Sequence, residues 1–131
     1  MAQQPIELIL LRQLATSLVV PVFIVDERGD LAFLNEPAEQ LLGIRLEEVD
    51  HYPFETWTTV FRPKALDGTI VPADELLLVR ALRDRRPAHG PLQITGSDGV
   101  DRTIEITAFP LEGGRGRLIG AVAMFWEIEP A

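Results

Sequence analysis

Nine consecutive residues near the C-terminus, Leu118-Ile119-Gly120-Ala121-Val122-Ala123-Met124-Phe125-Trp126, carry no charged or polar side chain. The run reads as a β-strand, and a strand with one wet face alternates apolar with polar residues. This one does not alternate, so both of its faces must be covered. One cover is the domain's own interior. The other has to come from a further element of the chain or from a second subunit.

The rest of the sequence supplies candidates for both covers. Pro5 to Thr16 reads as a helix: Pro5 suits the first turn, and Ile6, Leu10 and Leu14 recur at helical spacing with Leu11 and Leu18 alongside. Its apolar stripe is broad and also needs a partner, which makes it the obvious lid for the final strand. Val20-Pro21 ends the helix. Two short apolar runs, Val22–Val25 and Leu31–Leu34, flank Asp26-Glu27-Arg28-Gly29-Asp30 and read as a β-hairpin. Asn35 can cap a helix in which Pro37 costs nothing, Ala38, Leu41 and Leu42 face inward, and Gly43 is a stop. A second short helical piece is expected at Leu46–Val49. Residues 51–64 carry the weakest signal, with Phe54, Trp57 and Phe61 expected to be buried.

Asp67-Gly68 marks a turn, and Pro72 to about Arg86 reads as one helix. Asp74 and Glu75 stand near its start and Arg83, Arg85 and Arg86 near its end, the order that the helix dipole favours. Leu77, Leu78, Ala81 and Leu82 form its inner face, and Pro87 ends it. Pro91–Thr95 and Arg102–Phe109 then alternate as strands around Ser97-Asp98-Gly99, and Glu112 to Gly116 turns the chain into the last strand. The order is helix, hairpin, helices, then a three-strand antiparallel meander, an α+β domain.

Composition narrows the chemistry. The 131 residues, 47% hydrophobic and 24% charged, suit one globular domain with a sizeable core. No cysteine is present, which removes disulfides, thiolate metal sites and a thiol nucleophile. Twelve basic residues against twenty acidic leave a net charge of −8, the wrong sign for nucleic acid. The N-terminus lacks the basic flank of a signal peptide, and Ile6–Leu11 is too short and interrupted to span a membrane. A cytoplasmic protein with no membrane contact is the expectation.

Three blocks in this order resemble the PAS domain family over Leu14 to Ile128. The first is Pro21 to Asn35, with Ala38 and Leu41-Leu42-Gly43. The second is Leu66-Asp67-Gly68-Thr69, Pro72 and Leu76 to Leu82. The third is Asp98-Gly99, Ile104 to Pro110, Gly120-Ala121-Val122 and Trp126-Glu127-Ile128. The resemblance implies a five-stranded antiparallel sheet in the order 2-1-5-4-3, helices packed on one face, and an N-terminal helix (residues 1–18) covering the other face or a dimer partner. Residues 19–131 would be the sensor domain, of the kind found in bacterial signalling proteins. Where the family's exit strand leads into a signalling helix, Glu127-Ile128-Glu129 here leads to Pro130-Ala131, so no effector domain is expected within the chain.

Family members often hold a small molecule between sheet and helices. The candidates to line such a cavity are Phe33, Leu41, Phe54, Trp57, Phe61, Leu78, Leu82, Phe109 and Phe125. Each is equally an ordinary core residue, because sequence does not separate a filled core from a lined pocket. The cofactor stays open, and a non-covalent apolar ligand such as a fatty acid is one form it can take. Haem is disfavoured, because the helix that usually carries its histidine has none; His51 and His89 lie in turn-like contexts. A covalent flavin would need cysteine, and a non-covalent flavin is the remaining form. No metal site is expected.

Gly113-Gly114-Arg115-Gly116 lacks the Lys-Ser/Thr ending of a phosphate loop and reads as a hairpin turn. The pairs Glu47/Glu48 and Asp74/Glu75 sit near helix ends, as capping or solvated acids. No catalytic constellation is present. Two functions therefore compete: a small-molecule sensor acting on a signalling partner, and a ligand-free docking or homodimerisation domain using Ile6, Leu10, Leu11, Leu14 and Leu18. A small α+β enzyme using buried acids such as Asp26 or Glu105 is the weakest alternative.

Overall fold

The structure, a computed structural model, describes residues 5–48 and 52–128. Four α-helices are present among them: α1 (Ile6–Thr16), α2 (Glu36–Leu42), α3 (Phe54–Val60) and α4 (Leu77–Asp84). Five strands, β1 (Val22–Asp26), β2 (Leu31–Leu34), β3 (Ala88–Thr95), β4 (Asp101–Glu112) and β5 (Leu118–Glu127), form one antiparallel sheet in the order β2-β1-β5-β4-β3. This is the order the resemblance implies. The pairing of β5 with β1 brings the first and last strands together at the centre of the sheet.

Alternation along the strands divides the apolar residues into two layers. Phe23 and Val25 of β1, Ile104, Ile106 and Ala108 of β4, and Ala121, Ala123 and Phe125 of β5 face the main core, which α2, α3 and α4 cover. Val22, Ile24, Val122 and Ile119 face the opposite way, against Leu8 and Ala15 of α1. Ile24 and Val122 are fully buried, as the unbroken apolar run of β5 requires. At about 1.5–3 kcal/mol per large aliphatic side chain, this second layer is a substantial part of the fold's stability.

Asn35 ties the layers together. It caps α2 by accepting from the Ala38 amide (3.1 Å), and the same Oδ1 accepts from the Val22 amide of β1 (2.9 Å). Its amide group donates to the carbonyls of Ala15 (3.0 Å) and Val20 (2.8 Å) at the end of α1. The side chain is buried, and every polar atom it owns is used. Gly43, at φ 75°, then takes the left-handed stop that closes α2.

The expected helix from Pro72 to Arg86 is two pieces. Ala73–Glu75 is a short 3-10 turn, Leu76 is extended (φ −63°, ψ 141°), and α4 starts only at Leu77. In this arrangement the extended Leu76 reaches the same cavity as Leu77 and Leu78 of α4. The helical piece expected at Leu46–Val49 is a 3-10 turn over Leu46–Glu48, with Val49 outside the described residues. The weakly signalled stretch holds α3, and His51 lies outside the described residues.

Candidate functional site

Between the inner face of the sheet and helices α3 and α4 lies an apolar cavity of about 80 Å³. Its sheet wall is Phe23, Leu92, Ile94, Ile104, Ile106, Ala123 and Phe125; its helix wall is Trp57, Phe61, Leu76, Leu77 and Leu78, with Leu42 and Pro63 at the margin. Among the described residues the wall carries no titratable group. Its one side-chain polar atom, Trp57 Nε1, points away and donates to the Gly29 carbonyl at 2.6 Å. Trp57 is fixed from two further sides, by Phe23 (ring centroids 5.2 Å apart, edge-on) and by Phe54 (5.9 Å, perpendicular).

Of the residues expected to line a cavity, Trp57, Phe61, Leu78 and Phe125 do so. Leu41, Phe54 and Leu82 pack against the main core without reaching the cavity. Phe33 and Phe109 are corrections: both lie on the opposite face of the sheet, in the layer beneath α1. Register explains this, because Phe33 stands opposite Ile24, Ile24 opposite Val122, and Val122 opposite Phe109, one row across four strands. Arg12 of α1 stacks over Phe33, 5.2 Å from the ring centroid. The leucine triplet 76–78 was legible as apolar, but the backbone break at Leu76 has no marker in the sequence.

The N-terminal helix divides in two. Leu8 and Ala15 are buried on the sheet, with Leu11 and Leu18 half-buried beside them. Ile6, Leu10 and Leu14 turn outward, 67%, 57% and 57% exposed, and Ile9 joins them. Helical geometry accounts for the split: the stripe spans more than the arc one sheet face can cover. The chain thus covers β5 itself and still presents an apolar ridge to solvent.

The acids considered for catalysis have separate structural roles. Asp26 accepts from the amides of Arg28 (2.9 Å) and Asp30 (3.1 Å), closing the first hairpin. Glu105 lies on the outer face, 3.1 Å from His89 Nε2, and His89 Nδ1 stands 3.3 Å from Thr107 Oγ1. His89 belongs to β3 instead of a turn, and it points away from the cavity. No cluster of metal-ligating side chains occurs among the described residues.

The comparisons with known proteins agree with this architecture. A family model described as the PAS fold matches residues 15–130. The PAS domain of a protein from Colwellia psychrerythraea superposes with a TM-score of 0.67 at 18% identity, covering 92% of this chain and 96% of that one. The PAS domain of nitrogen regulation protein NR(II) from Vibrio parahaemolyticus gives 0.65 at 15% identity, with coverages of 91% and 98%. That of the fruit-fly ELK potassium channel gives 0.72 at 6% identity, with coverages of 92% and 96%. No curated protein sequence matches the chain. The chain belongs to the PAS family, whose members are sensor modules of signal transduction. No helix among the described residues is long and apolar enough to cross a membrane.

Proposed function

We propose that this domain is a non-catalytic, cytoplasmic sensor that binds a small apolar molecule in the cavity and passes the event to a protein partner. The observation that carries this reading is the construction of β5. Ala123 and Phe125 line the cavity, while Ile119 and Val122 on its other face carry α1. A molecule that displaces the inner residues therefore moves the strand on which the N-terminal helix rests. Such a shift requires the ligand to bind one packing better than the other.

Trp57 reports on the cavity directly. In a Trp126→Phe variant its emission is the only tryptophan signal, and a bound ligand is expected to change it saturably. A broad ligand panel that changes neither this emission nor the melting temperature, together with a native mass spectrum free of bound molecules, would sink the sensing reading.

A second reading is supported by the ridge Ile6, Leu10 and Leu14: the domain forms a homodimer through α1. Contiguous exposed apolar surface on a small acidic domain favours an interface. Light scattering at micromolar concentration is expected to give twice the chain mass of 14.6 kDa, and a strictly monomeric mass would defeat it.

A further inference from the structure

We infer that the molecule read by this domain is uncharged, lacks hydrogen-bonding groups and has about four heavy atoms, a dissolved apolar gas or a short hydrocarbon. The inference rests on the cavity being the sensing site. Its size is the first ground: an apolar cavity of about 150 Å³ stays dry and takes benzene, and this one has about half that volume. The second ground is chemical. Trp57 Nε1 is committed to Gly29, so no described side chain in the wall offers a donor or acceptor to a guest.

Larger and more polar guests do not fit these residues. A fatty acid would bring a carboxylate with no cation among the described wall residues to receive it, and most of its chain would lie outside a space of about 80 Å³. The carbonyl and ring nitrogen atoms of a flavin would be left unpaired against leucine and isoleucine. Haem requires an axial ligand, and among the described residues no histidine, cysteine, methionine or tyrosine lines the cavity. A small apolar guest loses nothing on entry, since it gives up no hydrogen bonds to water. Leu77 and Leu92 form the half-buried part of the wall and are the side chains beside which it enters.

Small size also limits affinity. Binding energy per heavy atom has a ceiling, which places a four-atom guest at a dissociation constant on the order of tens of micromolar at best. Such a domain reports high local concentrations and releases its ligand quickly.

The test is a methyl NMR titration of the full chain with xenon and cyclopropane, alongside palmitate, flavin mononucleotide and haemin. Xenon and cyclopropane are expected to shift the methyl signals of Leu78, Ile94 and Ile106 saturably, with millimolar to sub-millimolar midpoints. Ala123→Leu, checked for fold by circular dichroism, should weaken cyclopropane at least tenfold. Leu78→Ala enlarges the space and should admit benzene, which keeps the inference testable if Ala123→Leu fails to fold. Stoichiometric binding of palmitate, flavin or haem at these methyls would overturn the inferred ligand class while leaving the sensing reading intact. If no probe of any class moves them, the sensing reading falls as well.

Discussion

Asn35 shows how one side chain can decide a local structure. Replacing it with alanine removes the α2 cap, worth about 1 kcal/mol, and leaves the buried Val22 amide without its acceptor at roughly 1–3 kcal/mol, while the Ala15 carbonyl keeps the Leu18 amide. Asn35→Ala is expected to lower stability by about 2–4 kcal/mol in urea denaturation, a large share of a typical 5–15 kcal/mol. Gly120 is constrained by space. A Cβ there would collide with the Val25 carbonyl oxygen of the neighbouring strand, so Gly120→Ala should cost ~3 kcal/mol or more, seen as a lowered melting temperature. Asp98 illustrates charge at an exposed turn. Hydrogen bonding to the Arg102 guanidinium first, and to the Val100 amide second, holds its carboxyl below the usual aspartate range. A depressed carboxyl stabilises the fold above its unfolded pKa, and the contribution is lost as pH falls through the folded one. An NMR titration should place the Asp98 midpoint below that of an unperturbed aspartate, and Arg102→Ala should raise it toward the ordinary value.

At the scale of elements, legibility followed the strength of local signals. The first hairpin, the Asn35 cap and the Gly43 stop were readable because turn glycine, capping asparagine and strand residues act within a few positions of each other. The face of each strand residue was not. Phe33 and Phe109 belong to the outer layer because of pairing register, a long-range property that the composition of a short run leaves open. The leucine triplet misled as well: apolar spacing and charge order both favoured one long helix, while the backbone is extended at Leu76. For α1, the sequence showed that a stripe needed a partner but not that it would serve two. The two faces separate by mutation. Leu8→Ala should cost ~2–5 kcal/mol as a buried truncation. Leu10→Glu with Leu14→Glu should leave the circular dichroism spectrum unchanged and reduce the light-scattering mass to that of one chain.

For the whole molecule, the sheet is a wall between two apolar layers, and the layers have different owners. The inner one is closed by α2, α3 and α4, and the outer one depends on α1 alone. Deleting residues 1–18 should expose Val22, Ile24, Val122, Phe33 and Phe109 together and produce a chain that aggregates, measurable by light scattering during refolding. Asn35 adds a consequence for local opening. Its carboxamide holds the end of α1 through Nδ2 and both the first residue of β1 and the first turn of α2 through Oδ1, so a movement of α1 that turns this side chain disturbs the amides of Val22 and Ala38 together. In deuterium exchange those two amides, though in different elements, should open with the same free energy and respond together to any change in α1. A signal arriving at the helix would then be read out as synchronised protection across the base of the domain.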